Sequence, residues 1–566
     1  MAASVGMPGG FSFGFYYDEK NDTVPRKGGR LFRRLLGRLL RRFPRAELCY
    51  AGERHILLFG VNRSGKSTRL ILKNLARILG KSIVVLDIKG ELCFQTRRVR
   101  RMLCGAENVK TINPYNLYDL GSDGFNPLAA LNPADDLFYD KAKRLTLAII
   151  ERQGDKDPHW NESAMGLLTA GIMWEVIQAK IEGRAPSLLN VRKLICERDE
   201  WEEVPPIKQG RTLVPQPPKQ VKGLKINCDL MAREGGEQIA GLISRFLREH
   251  GQNELSGIQS TFDTQTQWLI SKPISRDLEK GNWSFAQLRE TPTTVYILLP
   301  PEEIEDKRRW TRLIITCALN EHLKAGPVGT LFILDEFRVA VANLEIINTF
   351  WSLVAGYGVQ FLVVCQSALH LKALFKEEWE IYAGQAGCVA TIGPPNDRPT
   401  AEWMSARAGR SSETRTSQNE GQGVGVQGIT TSDGTTISQA DVAFKTPEEL
   451  MSIPVGTGRI WTPGRGNTSI PYFAPNYWKL KKVRDLIDKN PLYNGPTSPP
   501  ASPGRSRQSY WKIGALFGAV AALVIGAGVT LYDLTGKAEA WPPRSSAPPH
   551  IAPTPGKAPA PQHHRR

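Results

Sequence analysis

The chain has 566 residues, of which 41% are hydrophobic, and its formal net charge is +17. This length and apolar content exclude a disordered chain and predict two or more domains with cores of their own. The eight cysteines form no CxxC pair and have no histidine cluster nearby. That pattern argues against a zinc site or a disulfide framework and fits a reducing cytoplasm.

The N-terminal 50 residues predict a basic amphipathic arm. Residues 26–45 contain nine basic residues and no acid, which is more than half of the net positive charge. Leucines and phenylalanines fall on one helical face and arginines on the other, a pattern typical of a helix that lies on an anionic membrane surface. A solvated helix docked on the body, a nucleic-acid-binding arm and an organellar transit sequence are the alternatives.

A phosphate-binding loop follows in residues 51–155, where strand-like and helix-like runs alternate as in a parallel α/β sheet. The segment LLFGVNRSGKSTRL matches G-x-x-x-x-G-K-[ST], with an apolar run before it and a helical pattern after it. In such loops backbone N–H groups bind phosphates, the lysine reaches the β and γ phosphates and the hydroxyl binds Mg²⁺. We therefore predict ATP and Mg²⁺ as cofactors. The predicted nucleotide contacts are Gly60, Val61, Asn62, Arg63, Ser64, Gly65, Lys66, Ser67 and Thr68.

Two strand-like segments end in acids that could complete this site. In SIVVLDIKGEL, Asp87 is followed two residues later by Lys89, and a lysine beside the metal would repel it. In TLFILDEF, Asp335 and Glu336 directly follow an apolar run. We expect Asp335 to share Mg²⁺ with Ser67, and Glu336 to act on the attacking water as a catalytic residue beside the loop lysine. The alternative is a strand that ends in two solvated acids.

The character of the sequence then changes twice along the chain. Residues 156–280 read as helices, interrupted by a Pro/Lys-rich loop near residues 204–222 and without a strand, which predicts an all-helical domain. Strand-like runs resume in residues 281–480, so the nucleotide domain is predicted to be assembled from residues 51–155 and 281–480. Residues 411–439 are rich in Ser, Thr, Gly and Gln and predict a flexible surface excursion.

The C-terminal region predicts one membrane span. A Pro/Ser/Arg linker in residues 481–512 leads to residues 513–532, a stretch of twenty residues without a charge. Three basic residues between 505 and 512 precede the span, so the positive-inside tendency places the body in the cytoplasm and the Pro/Ala-rich tail, residues 533–566, outside. A buried helix of a soluble domain is the alternative.

Several motifs together resemble one family. The segments DIKGEL, TINPYNLYDLGSDGFNPL, DPHWNESAMGLLTA, LFILDEF, AGYGVQFLVVCQS and KTPEELMSIPVG are similar, in order and spacing, to segments of type IV secretion coupling proteins of the TraG/VirD family. The resemblance implies an α/β fold, namely a RecA-like P-loop nucleotide-binding domain with an inserted all-α domain, here followed by the predicted C-terminal transmembrane helix. Relatives usually carry their membrane helices at the N-terminus, and this chain departs from that pattern.

The resemblance also implies roles for individual residues. Gln366 ends a core-like strand where the family places a γ-phosphate sensor, so it is a third catalytic candidate. Asp87, Lys89 and Glu91 fall on a family signature, either beside the nucleotide or at a subunit boundary; a structural turn with a local Asp–Lys pair is the alternative. Some relatives carry an arginine where residues 339–366 have none. The remaining candidates for an arginine finger are Arg398, Arg407 and Arg410.

The residues predict a membrane-anchored ATPase whose body is cytoplasmic. The resemblance implies a hexamer at a bacterial inner membrane that delivers substrate to a type IV secretion channel. It also implies single-stranded DNA joined to a relaxase as the substrate, and protein effectors are the alternative. Expected partners are therefore this substrate, components of the channel, the inner membrane and further copies of the chain. A nonhydrolysing adaptor that recruits substrate through the helical domain is the rival of another class, and the complete pair of nucleotide motifs argues against it.

Overall fold

The computed structural model describes residues 10–16, 47–151, 158–209, 212–247, 252–281, 283–335, 347, 350–351, 354–425, 428–462 and 469–492. The strands in these residues are β1 (Phe11–Tyr16), β2 (Glu47–Tyr50), β3 (Ile56–Phe59), β4 (Ser82–Asp87), β5 (Val109–Ile112), β6 (Glu200–Glu202), β7 (Ile207–Gln209), β8 (Thr212–Val214), β9 (Lys219–Lys222), β10 (Thr294–Leu298), β11 (Thr330–Leu334), β12 (Val359–Cys365), β13 (Cys388–Thr391), β14 (Arg410–Gly425), β15 (Gly428–Ala443), β16 (Thr457–Trp461) and β17 (Ile470–Phe473).

Eleven of these strands form one sheet in the order β2-β1-β17-β16-β13-β3-β12-β11-β4-β10-β5. The seven strands from β13 to β5 run parallel, and the other four extend the sheet in antiparallel fashion. Strands β3, β4, β11 and β12 are apolar runs buried along their whole length, as expected for parallel strands with helices on both faces. The four runs predicted after the helical block form β10 to β13.

Helices connect the strands and cover both faces of the sheet. The α-helices are α1 (Leu72–Leu75), which continues a π-helical segment (Lys66–Ile71), α2 (Glu91–Cys104), α3 (Phe138–Ile149), α4 (Pro158–Ile181), α5 (Leu188–Ile195), α6 (Leu224–Glu234), α7 (Glu237–Leu247), α8 (Gln252–Thr266), α9 (Lys272–Glu279), α10 (Gln287–Glu290), α11 (Arg308–Glu321), α12 (Ala368–Phe375), α13 (Trp379–Gln385), α14 (Arg398–Ala408), α15 (Pro447–Met451) and α16 (Lys481–Arg484). Short 3-10 helices lie at Leu117–Asp119, Gln267–Ile270, Pro301–Glu303, Val354–Tyr357, Lys376–Glu378 and Tyr477–Lys479.

The apolar core lies in two layers, one on each face of the sheet. Alternate residues of β3 point to opposite layers, because successive side chains of a strand face opposite sides. Leu57 and Phe59 pack with α3, α11 and the helical insertion, whereas Ile56 and Leu58 pack with the helix after the phosphate loop and with α2. The nucleotide loop is thus held between two packed layers.

The N-terminal region is not wholly a separate arm, and this corrects the predicted boundary at residue 50. Strands β1 and β2 belong to the main sheet, and Phe11 and Phe13 are each 1% exposed. The alternation of phenylalanine with Ser12 and Gly14 is a strand pattern, and residues 17–46, which include the basic block, separate it from β2. That basic block, residues 26–45, lies outside the described residues.

Helices α4 to α9 form the insertion between β5 and β10, but the insertion is not all-helical as predicted. Residues 200–222 form two short antiparallel ladders, β6 with β9 and β7 with β8. Each strand has only three or four residues, and the prolines of this region lie between the strands, where no ladder hydrogen bond is lost.

Two further predictions are corrected in the C-terminal half. The segment predicted as a flexible excursion is a long antiparallel hairpin, β14 paired with β15 from Arg410↔Ala443 to Gly425↔Gly428. The backbone ladder requires no apolar face, which is why composition did not reveal it. The predicted linker begins later than residue 481, because α16 and the residues after it pack on the body, with Val483 and Ile487 buried.

No helix among the described residues is both long and apolar enough to cross a membrane. The predicted span, residues 513–532, lies outside the described residues, as do the tail and the segment from residue 493 onward.

Candidate nucleotide site

The predicted site residues come from four neighbouring parallel strands. In the order β3-β12-β11-β4, the phosphate loop follows β3, Gln366 follows β12, Asp335 follows β11 and Asp87 ends β4. The carboxyl ends of parallel strands meet at one edge of the sheet, where open α/β folds bind ligands. The topology therefore brings these residues to a common edge, although they are distant in sequence.

The phosphate loop is held tightly at both ends. The backbone N–H of Gly60 donates to the Cys365 carbonyl at 2.9 Å, and that of Ser64 donates to the Val61 carbonyl at 3.2 Å. Gly65 adopts φ +92° immediately before the helix starts at Lys66, a conformation that L side chains rarely adopt. These bonds and this turn fix the direction in which the loop amides point.

Several features of the loop fit a bound phosphate. The helix that starts at Lys66 has no side-chain cap, so its first N–H groups have no side-chain acceptor. The Ser64 hydroxyl is buried without a hydrogen-bond partner. The Lys66 ammonium is buried and donates to the carbonyls of Gly60 (2.8 Å) and Val61 (3.3 Å), which holds it over the loop. Orphan donors and a lysine together suit an anion at this position.

One cavity of about 290 Å³ brings most of the predicted residues together. Gly60, Ser64 and Gln366 are not among its lining residues, and Glu336 lies outside the described residues. The cavity also includes five of the six residues of the family signature DIKGEL, all except Gly90. Its lining consists of Val61, Asn62, Arg63, Gly65, Lys66, Ser67, Thr68, Asp87, Ile88, Lys89, Glu91, Leu92 and Asp335.

Asp87 has a structural role as well as a place in the cavity. Its Oδ2 accepts the backbone N–H of Cys93 at 2.7 Å and so caps the first turn of α2. Burial raises the pKa of Asp87 to about 7; the Cys93 hydrogen bond opposes the rise, and the nearby charges of Asp335 and Glu91 add to it. The negative charges of these three carboxylates thus repel one another within the cavity, and a bound cation would reduce that repulsion.

The family signature forms the turn between β4 and α2. Gly90 has φ +70°, and the Tyr118 hydroxyl donates to the Lys89 carbonyl at 2.9 Å. Glu91 accepts from the Asn490 amide at 2.9 Å. The signature thus reaches the cavity through Asp87, Lys89 and Glu91, and its turn is held by contacts from two other segments of the chain.

The donor set matches a magnesium ion better than a protein-caged metal. Among the described residues, no group of three or more His, Cys, Asp or Glu side chains could hold a metal ion by itself. Mg²⁺ in nucleotide sites usually binds one or two protein oxygens and completes its shell with phosphates and water. The Ser67 hydroxyl and the Asp335 carboxylate, which line the same cavity, supply such a pair.

The three arginine-finger candidates do not line this cavity in their own chain. Arg398 pairs with Glu402 at 2.8 Å on the surface, and Arg407 donates to the Ala383 carbonyl at 3.1 Å. Arg410 begins the long hairpin. The chain therefore supplies none of them to its own site.

Two contacts that sequence reasoning missed fasten the loop helix to the end of the sheet. The Thr68 hydroxyl donates to Asn476 Oδ1 at 3.2 Å, and the Arg69 guanidinium donates to the Ala474 carbonyl at 2.6 Å. Both partners lie just after β17, four hundred residues along the chain. No local motif marks them, because the contact depends on how the antiparallel edge folds back.

Known proteins share this sequence pattern and this fold. Residues 27–465 match the family model described as type IV secretory system conjugative DNA transfer. The conjugal transfer protein TraG of Escherichia coli is 22% identical over 475 residues, which cover 80% of this chain and 70% of TraG. The protein VirD4 of Agrobacterium fabrum is 24% identical over 332 residues, which cover 57% of this chain and 44% of VirD4.

Solved structures give the same result for the fold. The bacterial conjugative coupling protein TrwB, in a form without its first 70 residues, has a TM-score of 0.52 at 15% identity and aligns over 75% of this chain and 86% of its own. A structure of TrwB with ADP and Mg²⁺ also has a TM-score of 0.52, at 16% identity. The predicted α/β fold with a RecA-like P-loop domain is confirmed, and the family match extends over more than half of the chain. The chain belongs to the type IV secretory system conjugative DNA transfer family.

Proposed function

We propose that this chain is an ATP-driven coupling protein that delivers single-stranded DNA, joined to a relaxase, to a type IV secretion channel. The observation that carries the proposal is the shared cavity, in which the phosphate loop, Asp335 and the family signature meet inside a member of the conjugative DNA transfer family. The TrwB structures with ADP and Mg²⁺ and with a non-hydrolysable ATP analogue support ATP and Mg²⁺ as the ligands of this cavity.

The proposed chemistry assigns one task to each group. Loop amides and Lys66 bind and orient the phosphates, and Ser67 with Asp335 would hold Mg²⁺, which neutralises phosphate charge when bound. Glu336, the next residue after Asp335, orients the attacking water. Gln366 follows β12, which lies next to β3, and senses whether the γ phosphate is present. Together these roles describe hydrolysis by positioning and electrostatic stabilisation.

We further propose that the protein works as a homo-hexamer at a bacterial inner membrane, with its body in the cytoplasm. The uncharged stretch in residues 513–532 and the basic residues before it support the anchor. In such an assembly, a neighbouring copy could supply one of the three candidate arginines as a finger to this cavity.

The test of this function is the Glu336→Gln variant. Because Lys66, Ser67 and Asp335 remain, the variant should bind ATP and Mg²⁺ with wild-type affinity, while turnover falls by roughly 10²–10⁴-fold. ATP binding is measured by calorimetry and hydrolysis by phosphate release, with and without single-stranded DNA. Lys66→Ala is the matched control, since it should lose binding as well as turnover.

DNA stimulation decides between the proposed function and its rivals. We expect single-stranded DNA to increase the ATPase rate of the wild-type chain. An unchanged hydrolysis rate in Glu336→Gln would remove that residue from its role. Wild-type protein that binds ATP but never hydrolyses it would favour an adaptor, and an ATPase indifferent to DNA would favour delivery of protein effectors.

A further inference from the structure

A groove of about 700 Å³ lies along α2. Its walls carry three arginines and two apolar side chains of that helix, and Asp488 closes it from the C-terminal segment. The lining side chains used below are Phe94, Arg97, Arg98, Arg101, Met102 and Asp488. None of them takes part in the nucleotide site.

Helix α2 and the C-terminal segment form one continuous surface at this groove. Arg98 Nε donates to Asp488 Oδ1 at 2.9 Å, and its Nη2 donates to the carbonyls of Asp485 and Leu486 at 3.3 Å. The backbone N–H of Asp488 donates to the Gln95 carbonyl at 2.9 Å. The charges of the two segments therefore act together at one place.

The surface is strongly basic, and we call it the basic face. We define it by the exposed or half-exposed cations of these two adjoining segments, which are Arg97, Arg98 and Arg101 of α2 and Lys479, Lys481, Lys482, Arg484 and Lys489 of the C-terminal segment. The two acids of this surface already form ion pairs, Asp485 with Arg484 and Asp488 with Arg98. Within the described part of the chain, the other six cations form no ion pair. An excess of positive charge of this size attracts anionic partners.

Apolar side chains stand among these cations. Met102 is 65% exposed on α2, and Leu492 is 59% exposed where the described chain ends. Cations interleaved with exposed apolar groups are typical of surfaces that lie at the boundary of headgroups and acyl chains. A surface that only tracked nucleic acid phosphates would gain nothing from Met102.

The chain also leaves the body at the basic face. Residues 493–512 carry three more basic residues and no acid, and the predicted span begins at residue 513. Twenty residues span at most about 70 Å, so a span in the membrane would keep this face within that distance of the bilayer. This argument rests on the membrane anchor of the proposed function.

We infer that the basic face docks on anionic phospholipid headgroups and sets the orientation of the ATPase body against the membrane. Each cation near an anionic leaflet raises surface affinity about fivefold, and the attraction reaches only about 10 Å at 0.1 M salt. The attraction is therefore strong only when the face lies close to the headgroups, and it weakens as the ionic strength rises. Because α2 starts at Glu91 in the nucleotide cavity, the docked surface and the site share one helix.

Amine footprinting of the full chain in lipid nanodiscs tests this surface. The acetylation rates of Lys479, Lys481, Lys482 and Lys489 are measured by mass spectrometry in nanodiscs of phosphatidylcholine alone and of phosphatidylcholine with phosphatidylglycerol. We expect these rates to fall by roughly fivefold or more with the anionic lipid and to recover in 0.5 M salt. Lys193 and Lys225, exposed on the helical insertion, should react equally in both.

Charge reversal supplies the matched control. The triple variant Arg101→Glu, Lys481→Glu and Lys482→Glu should lose the protection of Lys479 and Lys489. The variant Lys193→Glu, Lys219→Glu and Lys225→Glu, with the same change of charge on the insertion, should keep it. Equal labelling in both lipids, or protection that survives the triple reversal, overturns the inference. Protection by single-stranded DNA in place of lipid would assign the face to nucleic acid and overturn it as well.

Co-elution of the chain with the nanodiscs tests the proposed anchor separately, in the same samples. Elution of the chain apart from the nanodiscs would contradict the anchor alone. Vesicles of the same lipids added to the free chain would then still test the basic face, because charge attraction does not need a span.

Discussion

His55 and His322 are buried histidines, and burial favours the neutral form of both rings. The Phe361 N–H donates to His55 Nδ1 at 3.1 Å, so Nε2 carries the proton and donates to the Trp351 carbonyl at 2.9 Å. Burial lowers the pKa of His55 to about 4, against the Trp351 hydrogen bond. Burial likewise lowers the pKa of His322 to about 4. Protonation of His55 Nδ1 would break the Phe361 hydrogen bond, and protonation of either ring would place a charge in the buried core.

These histidines predict a loss of stability in mild acid. Their folded-state pKa is depressed, so the stabilisation is complete above the unfolded pKa of about 6.5 and is lost as the pH falls toward 4. At pH 5 each histidine should cost about 2 kcal/mol of unfolding free energy. The urea midpoint should therefore fall between pH 7.5 and pH 5. His55→Gln should flatten that fall, and His159→Gln, at an exposed position, should not.

At the scale of elements, two glycines of α4 make a matched pair. A methyl group at Gly166 would meet nothing within 4 Å, whereas one at Gly171 would lie 3.0 Å from Val191 Cγ1 and 3.1 Å from Ile195 Cδ1 of α5. Gly166→Ala should stabilise the helix by about 0.5–1 kcal/mol because alanine loses less backbone entropy. Gly171→Ala should push α5 away and destabilise the insertion.

Hydrogen exchange of α4 measures both changes. We expect slower exchange in Gly166→Ala and faster exchange in α4 and α5 in Gly171→Ala. Equal effects of the two substitutions would mean that α5 does not pack on Gly171 as the structure shows.

Some strands could be predicted from the sequence and others could not. Strands β10 to β13 were predictable because buried parallel strands are apolar throughout. Strands β1 and β14 were not, since β1 pairs with β17 across the whole chain and β14 has a polar ladder without an apolar face. The local sequence of β1 or β14 does not reveal the strand with which it pairs. The same holds for the site, where the motif predicts the loop but only the neighbouring order of β11 and β4 brings Asp87 to Asp335.

At the scale of the whole molecule, the arm can be separated from the sheet. Phe15 pairs with Glu47, so the ends of the segment between β1 and β2 lie side by side. Replacing residues 18–45 with a short Gly/Ser linker should leave the fold and the ATPase activity unchanged. Binding of single-stranded DNA should also remain, and the logarithm of its affinity should fall by about 0.7 per phosphate contact for each tenfold increase in salt. Removing residues 1–50 should unfold the sheet edge, because Phe11 and Phe13 are lost.

Thermal unfolding and a salt titration of DNA binding compare these two variants. A stable fold after removal of residues 1–50 would contradict the structural role of β1. Loss of all DNA binding in the linker variant, with ATPase intact, would place the only DNA contact in the arm.

The anchor gives a second prediction at this scale. Deleting residues 513–532 should release most of the protein from membranes into a high-salt wash, while charge reversal at Arg33, Arg34, Arg41 and Arg42 should weaken only the residual binding to anionic lipid. Fractionation of cells that express each variant measures both. Truncated protein that resists the wash would show that the anchor lies elsewhere.

The attachment of the loop helix to the end of β17 has a mechanical consequence. Thr68 and Arg69 bind Asn476 and Ala474, and the chain runs from there to its C-terminal tail. A pulling force on that tail would first load the contacts of Asp488 and Asn490 with α2, and then these two hydrogen bonds, before it reached the parallel centre of the sheet. Tension would thus act on α2 and then on the helix that follows the phosphate loop, both of which begin at the nucleotide cavity, so a tethered molecule would sense load as a change in nucleotide affinity before any strand is pulled out.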